Sequence, residues 1–210
     1  MSPEIARLDD LPAETCEGVR SIYEEAFPPR QRVPFEELVD DARSGDELAL
    51  IGLEEGRPIG IAFLSRLDAV GHLFLEYYAV ARDLRGGGRG QALWWAVHDE
   101  LGREAPRPVV LEVEDPAEPE IEPEEAAARK RRVRFWERVG AIDLQLDGYV
   151  IPDVAGDGTE PMRLMWMAAR PGDSPPHDGG LLDLVLALYE SGYGLSSGDA
   201  LVQRAQRMWS

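Results

Sequence analysis

Residues 75–97 read LEYYAVARDLRGGGRGQALWWAV, and this stretch decides the fold. An apolar run gives way to a charged turn, four glycines (86, 87, 88 and 90) follow within five residues, and a helical pattern starts at once. Glycine in a strand-to-helix turn can take positive φ and lets a ligand meet the backbone without a Cβ in the way. The amides opening the next helix, with its dipole behind them, attract an anionic group such as a phosphate. Alternation in HLFLEYYAV predicts a strand before the turn, and the spacing of Leu93, Trp94, Val97 and Leu101 predicts a helix after it, from about Gly88 to Arg103. The turn is a candidate phosphate cradle.

Three glycine patterns can be compared with it. A P-loop needs GxxxxGK followed by Ser or Thr, but the only lysine of the chain is Lys130, far from the turn. A dinucleotide fingerprint needs Gly or Ala three residues after a GxG pair, whereas Gly86 and Gly88 are followed by Gln91, and Gly88 and Gly90 by Leu93. The pattern Q/R-x-x-G-x-G/A is met by Arg85, Gly88 and Gly90.

On these residues the sequence resembles the GCN5-related N-acetyltransferases (GNAT), which hold the pyrophosphate of acetyl coenzyme A in such a turn. EYYAV, VVLEVE and RFWERVGA look like the fourth strand, fifth strand and fourth helix of that family, in order, and the resemblance covers roughly residues 3 to 169. It implies acetyl-CoA as cosubstrate, bound by Arg85, Gly86, Gly87, Gly88, Arg89, Gly90 and Gln91, with the pantetheine arm along the backbone of Tyr78, Ala79 and Val80 and against Trp136. It also implies Glu76 as the base that relays the amine proton. Strict alternation places His72, Phe74, Glu76, Tyr78 and Val80 on one strand face and Leu73, Leu75, Tyr77 and Ala79 on the other. The bland reading of Glu76 is a carboxylate neutralised by a nearby arginine.

One departure from the family lies in the fourth helix. Where a Phe-Tyr pair usually supplies the acid for the thiolate, this chain has Phe135-Trp136, and an indole N–H is no practical acid. Water, Tyr149 or Tyr78 could substitute, with Tyr149 of DGYVIP preferred as the catalytic acid. From the residues themselves, Trp136 reads first as plain helix packing against the sheet.

Working outward, residues 3–8 predict a strand and ETCEGVRSIYEEAF a helix, closed by Pro28 and Pro29. PFEELVDDARSG predicts a second helix with a Gly45 cap, and ELALIGLEEGRPIGIAFLSRL a hairpin turning at Glu55-Gly56. RPVVLEVE reads as a buried strand, EEAAARKRRVRFWERVG as a helix, and AIDLQLDGYVI and MRLMWMAA as two more strands. The expected fold is α+β: a mixed, mostly antiparallel sheet of about seven strands flanked by about four helices. A domain over residues 1–170 would be followed by a linker, RPGDSPPHDGG, and two amphipathic helices over 171–210. Those helices could bury Leu182, Val185, Leu188, Val202 and Trp209 against their own sheet or against a second subunit, as a homodimer.

Composition narrows the function. With 22 basic and 40 acidic residues the net charge is −18, unsuited to nucleic acid or anionic membranes and able to concentrate a cationic amine, or simply to keep the chain soluble. The single cysteine, Cys16, allows no internal disulfide or CxxC knuckle, and the three histidines show no metal spacing, so no metal is expected. With no apolar leader and no eighteen-residue apolar run, a cytoplasmic location is expected. The run RKRRVR from Arg129 could meet coenzyme A phosphates, or neutralise the acidic segment EVEDPAEPEIEPEE before it. The expected function is acetyl transfer to a primary amine of a small molecule, its pocket bordered by Tyr23, Phe27, Phe35 and the loop from Ile151 to Pro161. A noncatalytic acyl-CoA-binding sensor is the alternative.

Overall fold

In the computed structural model, residues 2–103, 106–153 and 158–209 are described. They form two compact units, Met1–Ser65 with Leu75–Pro106, and Arg66–Phe74 with Arg107–Ser210.

The first unit holds β1 (Glu4–Arg7), α1 (Ala13–Ala26), α2 (Phe35–Ser44), β2 (Glu47–Glu54), most of β3 (Arg57–Leu67) and of β4 (His72–Val80), and α3 (Arg89–Leu101). β1 and β3 flank β2, both antiparallel to it. The β2–β3 turn is made by Glu55 (φ 50°) and Gly56 (φ 76°), the left-handed pair a two-residue hairpin requires. Alternation sends Ala49, Ile51, Leu53, Ile61 and Phe63 to one face, where they bury Val19, Ile22 and Tyr23 of α1 and Phe35 and Leu38 of α2. The other face is bare at Gly52 and Gly60, partners across the ladder, and Leu93 of α3 settles there. A Cβ at Gly52 would lie 2.3 Å from Leu93 Cδ1. The missing side chains therefore set how closely α3, and the turn at its head, approach the sheet.

The second unit holds β5 (Val109–Glu114), α4 (Pro123–Arg138), β6 (Ile142–Asp143), β7 (Val150–Pro152), β8 (Thr159–Met167), α5 (Gly179–Ala187) and α6 (Ala200–Trp209). β5, β6 and β7 all pair antiparallel with β8. The strand expected over AIDLQLDGYVI divides into β6 and β7, because Gln145 (φ 53°) and Gly148 (φ 72°) turn the chain between them, giving eight strands among the described residues rather than about seven. Among the described residues there are six α-helices, four in the body and two in the tail. Leu184, Val185, Leu188, Val202 and Ala205 of the tail pack with Tyr149, Leu164 and Trp166, so α5 and α6 complete the core of their own unit. Among the described residues no helix is long and apolar enough to cross a membrane.

Candidate active site

The glycine turn takes the form its composition demands. Gly86, Gly87 and Gly88 have φ of 100°, 59° and 84°, a run that L side chains rarely adopt, and Gly88 is the N-cap of α3. An added Cβ at any of the three would meet nothing within 4 Å, so the concave side of the turn is open to a ligand. From α3 back to the turn, the Arg89 amide donates to the Gly86 carbonyl (3.2 Å) and the Ala92 amide to the Gly88 carbonyl (3.0 Å), while the amides of Gly90 and Gln91 belong to the helical turn without i−4 partners. Two side chains brace the cradle: Arg85 Nε donates to the Val80 carbonyl (3.0 Å), and Arg89 pairs with Glu54 (2.7 Å). Tyr78 ties the strand to the helix, its hydroxyl donating to the Gly90 carbonyl at 2.5 Å and its ring meeting Trp94 edge-on.

Upstream on the same strand, the structure corrects the expected face of Glu76. Tyr77 enters an aromatic cluster with Tyr23, Phe27 and Phe63, on the α1–α2 side, while Tyr78 goes to α3. Glu76 lies on the side of Tyr77, near Ser65 of β3 and Asp41 of α2, rather than with Tyr78. Period two would put Glu76 with Tyr78, so strict alternation does not hold at Glu76. Burial raises the Glu76 pKa above the ordinary carboxylate range; the nearby Ser65 hydroxyl opposes that rise and Asp41 adds to it. Among the described residues, the side chains that act on this carboxyl are a hydroxyl and a second carboxylate.

Sequence reasoning missed Glu47. It opens β2, is 7 % exposed, and stands opposite Ser65 in the β2–β3 ladder. Its pKa is pushed up to about 8, first by burial and then by Glu76 and Asp41. A signal was present, since period two puts Glu47 on the inward face with Ala49, Ile51 and Leu53.

Of the expected acceptor residues, Tyr23 and Phe35 are core. Tyr23 is fully buried, with its hydroxyl on the Val33 carbonyl (3.0 Å), and Phe35 is buried beneath the Arg20 guanidinium, 4.8 Å from its ring centroid. Phe27 is half-buried at the rim of the same cluster. The loop from Ile151 to Pro161 contains residues 154–157, which lie outside the described residues.

The second unit holds Trp136 and Tyr149. Trp136 is buried on α4 against Phe135. Tyr149 is 2 % exposed, stacks on Tyr189 and donates its hydroxyl to Glu112, whose other carboxylate oxygen accepts from Tyr193. Burial, with the Glu112 charge beside it, raises the Tyr149 pKa well above the usual phenol value. Such a hydroxyl is a structural donor in a core, not a group poised to give up its proton. The arginine run serves the acidic segment: Arg129 binds Glu118, Glu125 and the Asp115 carbonyl, and Arg132 binds Glu114 and Glu125.

Comparison with known proteins agrees with this geometry. Residues 16–122 match the profile described as the acetyltransferase (GNAT) family, and the chain belongs to that family. It is an acetyltransferase by family and has the GNAT fold. A GNAT-family protein of Bacteroides thetaiotaomicron superposes with a TM-score of 0.72 at 25 % identity, over 92 % of this chain and 99 % of the other. An aminoglycoside 6′-N-acetyltransferase from Enterococcus faecium superposes with a TM-score of 0.58 at 13 % identity, over 81 % and 99 %. An aminoglycoside 6′-N-acetyltransferase solved with coenzyme A gives 0.61 at 14 %, over 81 % and 99 %. A search of curated protein sequences found no match.

Proposed function

We propose that this chain transfers acetyl from acetyl-CoA to a primary amine of a small molecule, by direct attack in a ternary complex, with Glu76 as the base. The carrying observation is that one strand runs from a half-buried carboxyl of raised pKa into an open cradle of three positive-φ glycines. From Glu76 to Val80 the strand advances about 13 Å, so an arm anchored at the turn and laid along Tyr78, Ala79 and Val80 ends near the base.

The residues of this chain divide the work as follows. Amides at the head of α3 meet the pyrophosphate, and Arg85 and Arg89 hold the turn in shape. Acetyl-CoA supplies the activated thioester. Glu76, in its carboxylate form, takes a proton from the bound ammonium, and the freed nitrogen lone pair attacks the thioester carbonyl carbon. The C–S bond then breaks as the nitrogen gives its second proton to water, and the leaving thiolate takes a proton from water, so the two exchanges balance. A thiol of pKa about 8.5 leaves acceptably without a dedicated acid, and the hydroxyls of Tyr78 and Tyr149 are already committed to Gly90 and Glu112.

Titration calorimetry with acetyl-CoA, combined with thiol release over a panel of amines, tests the reading. The panel includes an aminoglycoside and spermidine, because fold neighbours are named for those acceptors. Binding with amine-dependent thiol release is expected. Binding without release from any amine would return the chain to the role of an acyl-CoA sensor.

A further inference from the structure

Among the described residues, two buried side-chain oxygens have no hydrogen-bond partner, Glu47 Oε1 and Ser65 Oγ. They belong to residues that face each other across the β2–β3 ladder, and Ser65 lies beside Glu76, near enough for its hydroxyl to act on that carboxyl but with no hydrogen bond of good geometry between them. Buried polar atoms are otherwise almost always satisfied, and leaving one unpaired costs about 1–3 kcal/mol. That both unpaired oxygens fall at one place, next to the base, calls for a common donor. Glu76 is only half-buried, so the cluster is accessible from its side.

A donor that serves all of these groups must offer several hydrogens from one atom, and the three carboxyls gathered there, Glu47, Glu76 and Asp41, favour one that carries positive charge. A primary ammonium does so, with three N–H donors around one nitrogen. A metal ion fits less well: among the described residues no group of three or more His, Cys, Asp or Glu is placed to hold one. Resting on the acetyltransferase reading above, we propose that Glu47 and Ser65 form with Glu76 a docking site for the acceptor as a primary alkylammonium, Glu47 being the residue that selects it. The acceptor class is thereby narrowed to alkylamines that are protonated before they bind; quaternary ions and weakly basic aryl amines are excluded.

The groups facing Glu47 are Glu76 from β4, Asp41 from α2, and the hydroxyls of Tyr23 and Tyr77. None of them is cationic, so in the free protein Glu47 keeps its proton near neutral pH, its pKa being about 8. An incoming ammonium supplies the missing positive charge, Glu47 ionises, and its proton passes to solvent. Docking therefore releases a proton near neutral pH and ceases to do so above about pH 9, where Glu47 is already ionised.

The test is titration calorimetry on the protein saturated with coenzyme A, with n-hexylammonium and n-hexyltrimethylammonium as probes, in buffers of different ionisation enthalpy. Expected are binding of the primary ion with release of about one proton, and at least about tenfold weaker binding of the quaternary ion. Glu47→Gln, isosteric with the neutral acid, should bind coenzyme A normally, lose about tenfold or more in affinity for the primary ion, and release no proton. Ser65→Ala should weaken the same ion with proton release intact, which keeps the test decisive should Glu47→Gln fail to fold. Wild-type affinity in both variants, equal binding of the two probes, or no binding of the primary ion to the coenzyme A complex would overturn the proposal alone. Failure of coenzyme A itself to bind would instead sink the acetyltransferase reading.

Discussion

Leu93 of α3 rests on the bare backbone of Gly60: a Cβ added there would stand 2.4 Å from Leu93 Cδ2 and 2.6 Å from the carbonyl oxygen of Ala79. At Gly52, across the ladder, an added Cβ would meet the Leu93 side chain at 2.3 Å, and its three nearest atoms are all side-chain atoms, the third at 3.7 Å. Overpacking of this kind costs about 1–3 kcal/mol, and a side chain can yield where a carbonyl cannot. Gly60→Ala should therefore lower Tm more than Gly52→Ala. Adding Leu93→Val should recover more of the Gly52→Ala loss than of the Gly60→Ala loss. Thermal unfolding of the four variants, followed by circular dichroism, checks the order; equal recovery would show that Ala79 is not the obstacle.

Gly88 separates binding from folding. Its φ of 84° is strained for any L side chain, at about 1–2 kcal/mol, yet a Cβ there would touch no protein atom. Gly88→Ala should lower Tm by a few degrees and weaken acetyl-CoA by about tenfold or more, because the methyl group and the relaxed turn both intrude on the cradle. A normal acetyl-CoA Kd in this variant would mean that the phosphates lie elsewhere.

The order of the elements was legible because each is locally consistent: alternation in ELALIGL and HLFLEYYAV, the Glu55-Gly56 hairpin, the Gly45 cap and the glycine turn all point to one fold. The face of Glu76 was not, since its neighbours Ser65 and Asp41 come from β3 and α2, and that is tertiary information. Glu47 was passed over although its parity placed it inward, because an acidic residue at a strand end more often faces water. Tyr149 looked reactive beside a loop, and only β5 and α5 reveal that its ring and hydroxyl belong to a core. Tyr23 and Phe35 looked like pocket aromatics for the same reason.

Rate should follow the ionisation of Glu76. Burial lifts its pKa above the usual carboxylate range, and the base works only when deprotonated. The acid limb of kcat/KM should accordingly lie above that range, with activity falling as pH drops through it. Glu76→Gln should lose about 10²–10⁴-fold in kcat while binding acetyl-CoA as the wild type does. A variant that turns over at the wild-type rate would remove Glu76 from the mechanism.

Stability should respond to Glu47 in the opposite sense to an ordinary surface acid. Its folded pKa of about 8 exceeds the unfolded carboxylate value of 4.5, so between these limits the folded state holds more protons, and raising pH costs stability. The full shift corresponds to a few kcal/mol. Glu47→Gln carries no charge to expel, so its Tm relative to wild type should climb as pH rises from about 5 to 8 and then level off. Paired melting curves across that range, with substrate absent, give the difference free of the other carboxylates; a constant difference would mean that Glu47 is already ionised in the free fold.

Tyr149 tests the assignment of the leaving-group proton to water. Its hydroxyl donates to Glu112 within a core closed by α5 and α6, and Tyr193 donates to the other oxygen of the same carboxylate. Removing one donor from this half-buried carboxylate costs about 1–3 kcal/mol, so Tyr149→Phe and Tyr193→Phe should each lower Tm by several degrees. If the thiolate draws its proton from water, neither change alters kcat at temperatures where the variants are folded, and the two behave alike. A fall in kcat confined to Tyr149→Phe, with Tm lowered equally in both, would restore that hydroxyl as the acid.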